Sequence, residues 1–100
     1  MTNLKTNHIK FQDLVDFTKS LDGMVLETRI RRCKFLFTVG EEAFHYTPAS
    51  TNRPRLQENL YIDRVLERFN QCGSLRPVDY ADLTMNASYL LVIIEKYIRS

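Results

Sequence analysis

One hundred residues make one domain, 1–100, or a subunit that completes its core with a partner. Hydrophobic residues at 44% and charged residues at 26% are the balance of a soluble globule, and three Gly and three Pro are too few for a low-complexity chain. The net charge of +2 hides an uneven distribution: from Arg29 to Arg55 six basic residues stand against two acidic ones, Glu41 and Glu42, leaving that stretch at +4 and the remainder at −2.

Residues Ile9 to Leu21 carry Phe11, Leu14, Val15, Phe17 and Leu21 at spacings of three and four, which predicts an amphipathic helix. Asn7 is the expected N-cap, and Asp22-Gly23 closes the helix. Period-two alternation then predicts strands over Met24–Ile30, Cys33–Val39 and Ala43–Thr47, with Phe35, Phe37, Phe44 and Tyr46 facing the core. Gly40-Glu41-Glu42 is a turn, and Pro48 to Pro54 is the longest loop signal. A second helix is expected over Leu56–Asn70 on the stripe Ile62, Val65, Leu66 and Phe69, ending at Gly73. Ser74–Leu83 is a connector with room for a short turn after Pro77. A third helix starts near Thr84 or Asn86 and runs to Ile98, and its run Leu90-Leu91-Val92-Ile93-Ile94 is apolar all round.

The expected architecture is α+β and two-layered, with helices on one face of a small three-stranded antiparallel sheet in the order α-β-β-β-α-α. Its buried side chains should include Phe35, Phe37, Phe44, Val65, Leu66, Phe69, Leu90 and Ile94. The α-β-β-β-α part resembles the order of the double-stranded RNA-binding module. The chain departs from that family in having no lysine cluster at the second helix start and no glycine- and histidine-bearing hairpin loop. Arg-Ile-Arg-Arg occupies the first hairpin instead, so no family follows from the order alone.

Arg29, Arg31, Arg32, Lys34, Arg53 and Arg55 form the candidate phosphate-binding set. Arginine offers a planar fork of donors that fits phosphate or carboxylate. Arg29 and Arg31 are expected on one strand face, and Arg53 and Arg55 in the loop before the second helix. The function expected from this set is a small non-enzymatic module binding nucleic acid or another phosphate-bearing partner. The alternative is a protein–protein interaction subunit, a homo-oligomer or part of a larger assembly, using Tyr89, Leu90, Val92, Ile93 and Tyr97 of the apolar last helix.

Cys33 and Cys72 lack CxxC spacing and read as reduced core or near-core thiols. His8 and His45 read as surface residues. Asp79 and Asp82 suit turns and caps rather than cation binding, because further oxygen ligands are missing. No metal, cofactor or small-molecule substrate is expected. Met1–Lys10 is polar and carries no apolar signal core, and the apolar run Tyr89–Ile94 is far below the roughly 20 residues of a membrane span. The expected location is the cytoplasm, with no membrane partner.

Overall fold

Alternating side chains build a four-stranded antiparallel meander in the computed structural model, which describes residues 8–100. The strands are β1 (Met24–Glu27), β2 (Lys34–Val39), β3 (Ala43–Pro48) and β4 (Arg55–Glu58), in the spatial order β1-β2-β3-β4. Leu26 pairs with Phe35, Phe37 with Tyr46, and Phe44 with Gln57. These residues share the inner face, and all six are buried. The opposite face is open: Val25, Leu36 and Leu56 are exposed on it. The class is α+β, but the sheet has four strands where three were expected. Residues 55–58 pair with β3 instead of starting the helix. The helical stripe begins only at Ile62, so nothing apolar required residues 56–58 to be helical. Pairing also gives β3 a partner for its outer edge and brings Gln57 beneath Tyr46. The fourth strand removes the match to an α-β-β-β-α order.

Three helices complete the fold: α1 (Phe11–Thr18), extended by a 3₁₀ turn at Lys19–Leu21, α2 (Asn59–Cys72) and α3 (Ala87–Ile98). Lys10 holds the N-cap position of α1, and the expected cap Asn7 lies outside the described residues. At the far end Gly23 adopts φ 83°, a left-handed turn that glycine enters without a Cβ clash. The Asp22 carboxylate there accepts the Val39 N–H at 2.9 Å. Gly73 (φ 66°) closes α2 in the same conformation. Asn70, on α2, clamps the start of α1: its Oδ1 accepts the Ile9 N–H at 2.8 Å, and its Nδ2 donates to the Ile9 carbonyl at 2.9 Å.

α3 runs across the strands. Its N-cap residue Asn86 donates to the Leu56 carbonyl on β4 at 3.3 Å, and Glu95 near its other end meets Arg29 beyond β1. The sheet, α1 and the 3₁₀ turn at Pro77–Tyr80 enclose it. Leu90, Leu91, Val92, Ile93 and Ile94 are each 4% exposed or less. The all-round apolar run is therefore monomer core. Leu90, Val92 and Ile93, expected at an interface, have no surface left for a partner, and only Tyr89 and Tyr97 of that set are partly exposed. All eight side chains expected in the core are buried. Both thiols are exposed, contrary to the core reading: Cys33 precedes β2 in the first hairpin loop, and Cys72 ends α2.

One polar pair lies inside the aromatic core. The Tyr46 hydroxyl donates to Gln57 Oε1 at 2.6 Å, with both residues buried. Burial pushes the Tyr46 phenol well above its ordinary value, so it stays a neutral donor. Gln57 Nε2 is buried and has no protein partner. Tyr46→Phe should orphan both ends of the Gln57 amide and cost about 1–3 kcal/mol, a fall of several degrees in Tm. Adding Gln57→Leu to Tyr46→Phe should recover most of that loss, because removing both polar partners leaves nothing unsatisfied. Thermal denaturation of the single and double variants measures both effects.

Candidate functional site

A meander of four strands opens its first and third hairpin loops at the same end of the sheet. The first spans residues 28–33 and the third residues 49–54, so all six candidate cations gather there: Arg29, Arg31 and Arg32 in the first loop, Lys34 at the start of β2, Arg53 in the third loop, and Arg55 at the start of β4. The two loops are two strand spacings apart, about 10 Å. The middle turn, with Glu41 and Glu42, is at the opposite end, and so is Glu58, which pairs with Ala43. The sheet is acidic at that end and mostly basic at the other, where Glu27 beside Lys34 is the exception.

Local geometry fixes both basic loops. In the first, the Thr28 N–H donates to the Cys33 carbonyl at 3.0 Å, and the buried Thr28 hydroxyl oxygen accepts the Cys33 N–H at 2.9 Å. That closure ends β1 at Glu27, so Arg29 and Arg31 sit in a loop rather than on the strand face expected for them. Arg32 takes φ 55°, a left-handed conformation costing an arginine roughly 1 kcal/mol. In the third loop the Pro48 carbonyl accepts the N–H groups of Thr51 and Asn52, and Asn52 takes φ 54°. Asparagine tolerates that region better than arginine does.

The six cations differ in their surroundings. Arg29 Nε donates to Glu95 Oε1 at 2.8 Å, and its Nη1 reaches the Leu75 carbonyl at 3.4 Å. Glu95 also accepts from Arg99. Arg29 is thus a structural tie between the first loop, α3 and the connector. Lys34 has Glu27 as its cross-strand partner. Arg31, Arg32, Arg53 and Arg55 are exposed and form no ion pair among the described residues. The Arg55 guanidinium carbon lies 6.0 Å from the centre of the Tyr89 ring. That ring stacks on Tyr46 at 5.2 Å and meets Phe35 edge-on at 4.9 Å, so the core aromatics hold it in place.

Two hollows flank Arg29. A broad groove of about 730 Å³ runs beside α3 and carries the Glu27 and Glu95 carboxylates among its cations. A cleft of about 480 Å³ lies on the other side, between the first loop and the start of α3. Ile30, Leu75, Pro77 and Tyr89 form its apolar walls, Arg29 and Arg31 its basic rim, and no carboxylate lines it. The sequence reading missed this cleft because its walls come from three segments with no shared periodicity. Ile30, 73% exposed, lies past the end of the strand expected to include it, so alternation gave no sign of its role.

The remaining candidates are engaged elsewhere. His45 is on the outer sheet face, paired with Thr38 and Leu56 and close to Gly40. Cys33 precedes Thr38 by five residues, about 16 Å along a strand, so the two do not form a nucleophile pair. Arg68 makes a two-pronged pair with the Asp82 carboxylate and also donates to the Asp79 carbonyl at 2.9 Å. The Asp79 carboxylate accepts the Ser74 hydroxyl. Both acids thus serve the connector's turns. His8 is exposed. No protein-family model, curated protein or solved structure matches this chain.

Two predictions separate structural from available charges. Arg29→Ala should lower stability by about 1 kcal/mol through loss of the Glu95 pair, whereas Arg32→Gly should leave stability unchanged or raised by relieving the left-handed arginine. Chemical denaturation of the two variants reads the contrast. The Arg68 hydrogen bonds hold the Asp82 carboxyl below the ordinary carboxylate range, so its stabilisation is complete above about pH 4 and lost as pH falls further. Asp82→Asn should therefore lower Tm at neutral pH, and the gap to wild type should close in acid.

Proposed function

We propose that this chain is a small non-enzymatic module that binds the phosphate backbone of a nucleic acid through the basic end of its sheet. One observation carries the reading: the four exposed arginines Arg31, Arg32, Arg53 and Arg55, without an ion pair among the described residues, stand at the end of the sheet where the first and third hairpins turn, while the acids of the middle turn lie at the other end. Exposed guanidinium groups carried on closed loops suit phosphate, and two loops about 10 Å apart span roughly three nucleotides of one strand at ~3.4 Å each. Arg32 adds support, since a turn position suited to glycine or asparagine holds a cation there. The interaction-subunit alternative draws on α3 side chains that one chain already covers. The exposed apolar residues left to it include Val25, Leu36 and Leu56 on the open sheet face, and Leu60, Val78 and Met85 elsewhere.

Fluorescence anisotropy across a salt series tests the proposal. Arg31→Ala and Arg53→Ala should each weaken binding about equally on unrelated sequences and lower the slope of log K against log salt by about one unit. Arg53→Ser combined with Glu41→Ser restores the net charge of the wild type without restoring the basic end, and it should bind no better than Arg53→Ser alone. Recovery of affinity in that double variant, or no binding by the wild type at low salt, overturns the reading.

A further inference from the structure

The cleft beside Arg29 asks for more than a phosphate. Phosphates need donors and tolerate an open surface, but this hollow of about 480 Å³ is walled by Ile30, Leu75, Pro77 and Tyr89. Ile30 stands at its mouth and is 73% exposed, in the same loop as three arginines. An isoleucine so placed gains from contact with an apolar surface brought by a partner. The Tyr89 ring is held rigid by its stack on Tyr46, so it offers a fixed aromatic contact at little entropic cost. Cations stand close to the cleft: Arg29 and Arg31 line its rim, and the Arg55 guanidinium carbon lies 6.0 Å from the centre of the Tyr89 ring that walls it. The volume holds a flat heteroaromatic ring, and the Ser88 hydroxyl on the wall can bond to its edge. The larger groove across Arg29 fits such a ligand poorly, because Glu27 and Glu95 would face its phosphates.

We infer that the cleft takes an unpaired nucleobase, so the ligand of the basic end is single-stranded nucleic acid rather than duplex. The inference rests on the phosphate-binding reading above and names its substrate class. In a duplex the bases are stacked and paired, and none reaches Ile30 without being flipped out. In a single strand, phosphates a few nucleotides apart engage Arg31 on one side and Arg53 and Arg55 on the other, while a base between them enters the cleft. Base contacts of this kind are tolerant of sequence, because every base has an apolar face.

The test compares four labelled probes of one sequence: single-stranded RNA, single-stranded DNA and the two corresponding duplexes. The single strands should bind about tenfold more tightly than the duplexes. A preference in either the RNA or the DNA pair supports the cleft. Ile30→Ala, at an exposed loop position that leaves the core intact, should weaken single-strand binding about fivefold and leave duplex binding unchanged. Equal affinity for single strand and duplex, or an Ile30→Ala variant that weakens both alike or neither, overturns the cleft and leaves the phosphate surface standing. Absence of binding to all four probes overturns the phosphate surface as well.

Discussion

Five consecutive apolar side chains, Leu90 to Ile94, point in every direction around α3, so the helix must be surrounded before any of them is stable. The rest of the chain is arranged to surround it. The sheet supplies one wall, with Phe35 and Tyr46 against Tyr89. α1 supplies another, with Phe17 edge-on to Tyr97 at 5.4 Å, and the 3₁₀ turn at Pro77–Tyr80 adds a third, with Tyr80 fully buried. A chain of 100 residues has little apolar area to bury, and placing one helix at the centre uses it efficiently. The same arrangement leaves the outer face of the sheet uncovered, because no helix remains to cross it.

The central helix also shapes the basic end. α3 begins beside β4 and ends beyond β1, so its first turn passes beneath the third loop and its last turns beneath the first. Glu95 fixes Arg29 there, and Tyr89 presents its ring between Arg55 and the cleft. The loops are therefore anchored from below by the most buried element of the fold. Their cations are carried on short closures, Thr28 to Cys33 and Pro48 to Asn52, rather than on long flexible segments.

Much of this was legible in the sequence, and the failures have physical causes. Strong periodicity located α1, α2 and the first three strands, since each buries one stripe or one face, and the continuous apolar run Leu90–Ile94 located α3. β4 was not legible: in Arg-Leu-Gln-Glu the one buried residue is the polar Gln57, while the apolar Leu56 is exposed, so its pattern runs opposite to that of a half-buried strand. Gln57 is tolerated inside only because Tyr46 supplies a donor from the neighbouring strand. The first hairpin was drawn too long because Thr28 and Ile30 continued the alternation, although Thr28 is buried to close the loop and Ile30 is exposed. Summed charge marked the segment whose cations the meander gathers at one end, yet understated their concentration there. Glu41 and Glu42 offset two of the six cations on paper, whereas the meander sends them to the far end. The pairing of Arg29 with Glu95 was hidden by its sequence separation of 66 residues.

The separation of acidic and mostly basic ends along the strands gives the sheet an electric moment that the chain's net charge of +2 does not convey. A uniform +2 body drifts toward a polyanion with no favoured orientation. A body with opposite charges at its two ends feels a torque in the same field, and it turns its basic end forward before any contact is made. The effect is felt within a few Debye lengths, about 10 Å each at 0.1 M salt, and fades as salt rises. For the proposed nucleic-acid complex, a larger share of random encounters then arrives correctly posed, which acts on its association rate more than on its lifetime.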